Sequence, residues 1–218
     1  MNEILKTLTS RGESLYEEKK SSFIGIAVPV SSEQEALEFI KSVRSEYKKA
    51  RHYVYAYTVY EGDTLISRYS DDGEPQGTGG VPVLGVLESQ GIENAAVVVV
   101  RYFGGVLLGA SGLTRAYRKA AAEAVNAAEA VLKVFYDELF ITLDYQSYNA
   151  VKYLISAGMR PDMLAMKYKV IDENFSDKIV IHMYIAVSDT AKMCDIIKET
   201  TFGRAEMHID ERKGRFDL

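Results

Sequence analysis

Three carboxylates, Asp71, Asp72 and Glu74, crowd around Gly73 in a polar stretch from Ser70 to Gly80 that also holds Gly77, Thr78 and Gly79. A second glycine-bearing stretch, Phe103 to Tyr117, carries Gly104, Gly105, Gly109 and Gly112, with Arg101, Arg115, Arg118 and Lys119 in or beside it. Arg51 and His52 stand further upstream. Carboxylates this close need a partner, because like charges oppose each other's ionisation. An Asp-Asp-Gly turn with an ion pair to Arg51, Arg101 or Arg115 meets that need. Mg²⁺ would also meet it, as a hard cation that prefers oxygen ligands. The turn with an ion pair ranks first, since no second, spaced carboxylate motif is present to complete a metal site.

Between the two stretches runs Asn94 to Tyr102, with Val97 to Val100 an unbroken β-branched run. Such a run reads as a strand buried on both faces. The glycines after it do not spell a P-loop, which needs Gly-Lys-Ser/Thr, and do not spell Gly-x-Gly-x-x-Gly. A strand, a glycine turn and a helix start nevertheless present free N–H groups and a positive dipole end, which suit an anion. Tight turning and close helix–sheet packing explain the same glycines, and both readings stand. The ligand- or nucleic-acid-binding candidates are therefore Arg51, His52, Asp71, Asp72, Glu74, Gly77, Thr78, Arg101, Tyr102, Gly104, Gly105, Gly109, Arg115 and Arg118.

Other chemistries find little support. His52, His182 and His208 do not fall at metal-ligand spacing, which argues against zinc. Neither a Gly-x-Ser-x-Gly elbow nor a Cys/His nucleophile arrangement appears. Cys194, the sole cysteine, lies in an amphipathic segment and reads as core. Arg101-Tyr102-Phe103-Gly104 has a faint likeness to an RNA-recognition strand, but it leaves the strand for a glycine turn, and that reading is rejected. Neither catalytic residues, nor a metal, nor a cofactor is expected.

The elements that must position these residues follow from periodicity. Leu15-Tyr16 and Phe23 to Val30 read as strands around a charged turn, Glu17 to Lys20. Ser32 and Glu35 fit a capping box, followed by a helix with Leu37, Ile40, Val43 and Tyr47 on one face. Lys48, Lys49 and Arg51 then suit that helix's C-terminal dipole, or a phosphate. His52 to Tyr60 alternates, with His52, Val54, Ala56 and Thr58 on one face and Tyr53, Tyr55, Tyr57 and Val59 on the other. The tyrosine stripe reads as core packing with hydroxyls at its edge rather than as a base-stacking surface. Thr64 to Tyr69 is a strand, and a helix starts near Val81, with Pro82 in its first turn. A helix from Gly109 turns Leu113, Ala116, Tyr117, Ala120, Ala121, Ala124, Val125 and Ala128 inward.

The second half reads as strand Leu139–Tyr145, helix Gln146–Ala157 stopped by Gly158 and Pro161, and a hairpin of Met163–Ile171 and Lys178–Val187. A helix capped by Ser188, with Met193, Ile196 and Ile197 inward, and strand Arg204–Ile209 complete it. This is β-α-β-β-α-β, the split βαβ order. The expected junction is Lys133 to Glu138, giving domains 1–132 and 133–218.

At 218 residues, with 47% hydrophobic and 26% charged residues, the chain has the composition of an ordinary globular protein. Its net charge is −5. Residues 1–132 hold 14 Lys+Arg against 17 Asp+Glu, and residues 133–218 hold 12 against 14. Neither half is basic, so nucleic-acid binding would need a local patch. The start shows no signal-peptide pattern and no run reaches membrane-spanning length, so a cytoplasmic location and no membrane partner are expected.

Ser70-Asp-Asp-Gly-Glu-Pro-x-Gly-Thr, Arg101-Tyr-Phe-Gly-Gly and Leu113-x-Arg-Ala-Tyr together resemble the signature of the YigZ/IMPACT family. Ala50-Arg51-His52 and Lys19-Lys20-Ser21-x-Phe23 match the same family upstream, and the resemblance spans the whole chain. Ser22, Val54, Gly79 and Leu107 depart from its usual pattern. The resemblance implies an α+β protein with two parts. The first is a mixed sheet with helices on one face, as in a ribosomal-protein domain and the GHMP kinases. The second is a ferredoxin-like sandwich, similar with the first to the last two domains of elongation factor G. It also implies a non-enzymatic, translation-linked regulator that binds ribosome, RNA or a translation-related protein. Eukaryotic relatives compete for an activator of a stress kinase through an additional N-terminal domain, so that partnership does not carry over. The alternative is an enzyme acting on a phosphorylated small molecule at the same loops. No oligomeric state is implied.

Overall fold

The computed structural model describes residues 4–62, 64–157 and 163–217. It is an α+β protein with two antiparallel sheets and five helices among the described residues. The chain divides into two compact units, Leu5–Leu132 and Lys133–Leu218, the second also taking Ile4.

In the first unit, β6 (Ala95–Tyr102) is the middle strand of a sheet. Its neighbours are β2 (Gly12–Glu18), β3 (Ser21–Pro29), β4 (His52–Glu61) and β5 (Thr64–Ser70), in the order β2-β3-β6-β4-β5. The expected mixed sheet is corrected here, because every pairing is antiparallel. The expected single helical layer is corrected as well. Ala95, Val97 and Val99 pack with Val83 and Leu87 of α2 (Gly80–Gln90) and with Leu113 and Tyr117 of α3 (Gly109–Ala127). Ala96, Val98 and Val100 pack on the other face with Ala36, Ile40 and Val43 of α1 (Glu33–Glu46). A β-branched strand with both faces apolar demands cover on both sides, since burial of apolar area is the driving force. Tyr53, Tyr55 and Tyr57 of β4 belong to this second core. Tyr53 donates to the Tyr47 carbonyl and Tyr57 to the Glu33 carboxylate at its edge.

All eight residues expected on the inward face of α3 are buried. Its small side chains let its backbone lie directly on β3. A Cβ added at Gly25 would stand 2.4 Å from the Ala120 carbonyl oxygen. Ser14 Oγ also donates to that oxygen, at 2.7 Å. In α1 the Ser32 hydroxyl accepts from Glu35 N at 3.2 Å, while the Glu35 carboxylate accepts from Ser31 N, one residue before the reciprocal partner of a capping box. Leu37 is exposed, because the buried stripe runs through Ala36, Ile40 and Val43 and Leu37 lies one residue off it. A short strand not expected from the sequence, β1 (Ile4–Leu8), is held by polar groups: Lys6 Nζ donates to the Gln90 carbonyl and Thr7 Oγ1 to the Asn94 carbonyl.

The second unit runs β7 (Ala130–Leu143), α4 (Tyr145–Ala157), β8 (Tyr168–Phe175), β9 (Ile179–Ala186), α5 (Val187–Thr200) and β10 (Glu206–Asp217). Its strands lie in the order β10-β7-β9-β8, all antiparallel. Leu139, Ile141, Ile181 and Met183 meet Val151 of α4 and Met193 and Ile197 of α5, with Cys194 inside the same core. Several boundaries differ from expectation: β8 starts at Tyr168 rather than Met163, and β10 runs Glu206–Asp217 rather than Arg204–Ile209. β7 starts at Ala130 and passes through 133–138, so no irregular linker stands there. β8 runs on to Phe175, leaving Ser176–Lys178 as the loop. Ser188 sits inside the first turn of α5, whose cap residue, Ala186, offers no side-chain acceptor. The stop signals Gly158 and Pro161 lie outside the described residues. Among the described residues no helix is long and apolar enough to cross a membrane.

Candidate functional site

The 71–80 loop is built around Asp71. Its carboxylate accepts from Gly77 N at 2.8 Å, Gly79 N at 2.9 Å and Gly80 N at 2.8 Å, which closes the loop and caps α2. Burial opposes ionisation of Asp71, but the N–H groups of Gly77, Gly80 and Gly79 outweigh it and hold its pKa below the ordinary value. Asp72 is equally engaged. One oxygen accepts from Tyr53 N at 2.7 Å, the other from Arg44 at 2.6 Å, and its carbonyl accepts from His52 Nδ1 at 2.8 Å. Thr78 is buried and donates to the Pro75 carbonyl, and Gly77 takes a positive φ of 75° that a side chain would strain. Asp71, Asp72, Gly77 and Thr78 thus shape the loop.

Glu74 turns inward, its side chain only 4% exposed. Its Oε1 accepts from Arg101 Nη1 at 2.5 Å and from the Tyr117 hydroxyl at 2.7 Å, with His52 Nε2 4.0 Å away. The ion pair expected between the two loops is therefore Glu74–Arg101. Arg101 reaches it because β6 alternates. Arg101 follows Ala95, Val97 and Val99 on the α3 side, in register with Phe23 and His52 of the flanking strands. Its guanidinium carbon lies 5.4 Å from the ring centroid of Phe23 and 5.5 Å from that of Phe103. Burial first, then the adjacent Glu74 charge, pushes the Tyr117 phenol far above its ordinary range, so it remains a donor.

An open cleft of 330 Å³ lies over this cluster. Arg51, His52, Glu74 and Arg101 form one side, and Phe103, Leu107, Gly109 and Ala110 the other. The second side is clamped at Gly104, whose N–H donates to Ser21 Oγ and where a Cβ would stand 2.0 Å from the Lys20 carbonyl oxygen. On either side of that clamp the loop is apolar and exposed: Phe103 at 40% before it, and Val106 at 42% and Leu107 at 83% after it.

The other candidates are placed elsewhere. Tyr102 points its hydroxyl at the Lys48 carbonyl, and Gly105 is exposed on the loop. Arg115 pairs with Glu18 at 2.6 Å, and Arg118 and Lys119 are exposed on the outward face of α3, Lys119 over the ring of Tyr16. Of the cations near the signature, Arg51 and Arg101 thus share the cleft, while Arg115, Arg118 and Lys119 lie away from it. Sequence reasoning missed Arg44 as the partner of Asp72 and took Tyr117 as plain core. Period-2 counting along β6 with period-3.6 counting along α3 would have paired Tyr117 with Arg101. Among the described residues no group of three or more His, Cys, Asp or Glu side chains could hold a metal ion.

Fold and cleft define a class: an α+β protein whose first unit builds an open cleft from two glycine-rich loops at strand ends. The model of the Impact N-terminal domain matches residues 19–125, all within that unit. IMPACT family member YvyE of Bacillus subtilis is 32% identical over 205 residues, covering 94% of this chain and 90% of the relative. The chain belongs to the IMPACT family. IMPACT family member YigZ of Escherichia coli is 35% identical over 138 residues, 63% of this chain and 68% of that protein. Human Protein IMPACT is 34% identical over 97 residues, 42% of this chain and 29% of that protein. A crystal structure described as a hypothetical protein superposes with a TM-score of 0.62 at 26% identity, covering 98% of this chain and all of the other.

Proposed function

We propose that this chain is a non-enzymatic, translation-linked regulatory protein that docks on a protein surface of the translation apparatus through its signature loops. One observation carries the reading: the loop tip exposes Phe103, Val106 and Leu107 together, beside the cleft. An apolar cluster on an exposed tip suits a protein partner. RNA is the weaker reading, because Arg101 is buried against Glu74, Arg115 is paired with Glu18, and Arg44 is paired with Asp72. The enzymatic reading loses its carboxylates, since Asp71 and Asp72 are spent on backbone amides and Arg44.

On this reading the two units are separate domains, 1–132 and 133–218, and the protein works in the cytoplasm. The first domain takes a fold related to the ribosomal-protein and GHMP-kinase type, with an antiparallel sheet covered on both faces in place of a mixed sheet covered on one. The second takes the ferredoxin-like fold, a reading supported by the order β10-β7-β9-β8 with both helices on one face.

Co-sedimentation with ribosomes, wild type beside Leu107→Glu, tests the proposal. Leu107 is exposed, so the substitution leaves the fold intact. The expected result is binding that Leu107→Glu abolishes and that changes little between low and moderate salt. Equal sedimentation of both proteins, with a steep loss in salt, would replace the protein surface with RNA.

A further inference from the structure

We propose that the cleft above Arg101 is a binding site for a monocarboxylate that carries a short apolar chain. Two independent observations meet there. Arg101 is 5% exposed and lines the cleft, yet among the described residues its Nε has no acceptor. Glu74 occupies only Nη1. The Nε–Nη2 edge is the one a planar carboxylate grips with two parallel hydrogen bonds, and a buried donor left unmet is costly.

The second observation is the start of α3. Gly109 and Ala110 line the same cleft. The cap residue Leu108 offers no side-chain acceptor, and the first turn holds no acid. Its leading N–H groups therefore keep their capacity for an anion. The N-terminus of α2, by contrast, is filled by Asp71.

The surroundings select among anions. Glu74 places one negative charge at the floor, so a dianion is repelled more than a single charge. Phe103, Leu107, Leu108, Leu113 and Pro75 add apolar wall, which suits a hydrocarbon stem next to the carboxylate. The cleft, at 330 Å³, lies near the small end of the roughly 300–1,000 Å³ range of small-ligand sites, which limits that stem to a few carbons. Arg51, exposed at the rim, adds attraction at entry. Phe103 covers the guanidinium and follows directly into Gly104-Gly105, so a ligand reaching Nε displaces this ring.

The same chemistry is offered by a free organic acid and by the carboxyl end of a peptide. Both are tested on the full chain by calorimetric titration without ribosomes, so the outcome is read separately from the docking of the loop tip. The probes are N-acetyl-leucine, its amide, inorganic phosphate, and a tripeptide ending in leucine as free acid and as amide. The expected result is that the free acids bind about tenfold or more tightly than their amides, as charge-assisted hydrogen bonds require. Tighter binding of the tripeptide assigns the site to chain ends, and tighter binding of N-acetyl-leucine to free acids. Ala110→Glu supplies a carboxylate to the start of α3 from an exposed position where acids stabilise a helix. It is expected to abolish binding without lowering the unfolding temperature. Equal binding of acid and amide, tighter binding of phosphate, unchanged affinity in Ala110→Glu, or no binding at millimolar ligand would each overturn the proposal.

Discussion

The two units use their sheets differently. In the first, α1 covers one face and α2 with α3 the other, so β6 is buried on both sides from Ala95 to Val100. Its polar groups are confined to strand ends, where Arg101, His52 and Glu74 gather. In the second, α4 and α5 cover one face. The opposite face holds rings stacked on one another, Tyr136 on Tyr184 at 4.1 Å and Phe140 on His182 at 4.4 Å between centroids. Glu138 and Asp172 stand among those rings, which opposes a polyanion there. A doubly covered sheet concentrates charge into one buried cluster of high energetic stake. A singly covered sheet leaves most of its charges at the surface, where water screens them, with Asp137, buried against Thr190, as an exception.

The largest expected effect measures that contrast directly. Arg101→Ala strands the Glu74 carboxylate, whose side chain is 4% exposed, and should cost about 3–5 kcal/mol of stability. Lys152→Ala breaks a pair of similar length in the second unit, Lys152–Glu173 at 2.5 Å, but Lys152 is 45% exposed and the cost should be far smaller, as for other solvent-screened pairs. Denaturant unfolding gives both values, and hydrogen exchange assigns each loss to a unit. Similar costs for the two variants would mean that the Glu74–Arg101 pair is solvated, and the contrast between the sheets would fail.

Much of this was legible in the sequence where one face decides. The inward residues of α3 follow from helical period alone, and the run Val97 to Val100 already required cover on both faces. That requirement conflicts with a single helical layer, the arrangement implied by resemblance. The fate of Arg101 was legible by parity: it shares a face with Val97 and Val99, so it cannot be an open phosphate contact. The inward turn of Glu74 was not legible. It depends on Asp71 gathering three amides within nine residues, a tertiary loop geometry that no periodicity encodes. β1 escaped notice because five residues held by Lys6 and Thr7 carry too little alternation to stand out.

Close packing separates two glycines of the first unit. Gly25→Ala drives a Cβ to 2.4 Å from the Ala120 carbonyl oxygen, a backbone atom of α3 that cannot step aside alone. The expected cost is about 1–3 kcal/mol, the range for an overpacked core. Gly85, inside α2, meets only the flexible end of Arg118 at 3.3 Å. Gly85→Ala should therefore stabilise by about 0.5–1 kcal/mol through helix propensity. Opposite signs in thermal unfolding sharpen the picture of α3 lying backbone to backbone on β3. A neutral Gly25→Ala would show that helix and sheet separate easily.

An effect of similar, small size compares two aspartates that serve helix starts, one in each unit. Asp71 holds three amides in a partly buried loop, and Asp144 holds Ser147 N at 2.6 Å on an exposed one. Both ionise below their ordinary value. For Asp144 the N–H of Ser147 is the main cause, and for Asp71 the three amides prevail over burial. A carboxylate with a lowered folded pKa stabilises above the ordinary aspartate range, and that contribution is lost as pH falls through the folded value. Asn keeps one acceptor oxygen but neither the charge nor the titration. Asp71→Asn should therefore cost about 1 kcal/mol at neutral pH, the usual size of a lost cap. Its difference from wild type should close as acid protonates Asp71 in the native protein. Asp144→Asn should show the same direction with a smaller amplitude, because solvent already competes for its single amide. Unfolding free energies at neutral and acid pH for the three proteins decide the matter. A gap for Asp71→Asn that persists unchanged into acid would assign its effect to shape rather than charge, and the loop would not be held by an ionised carboxylate.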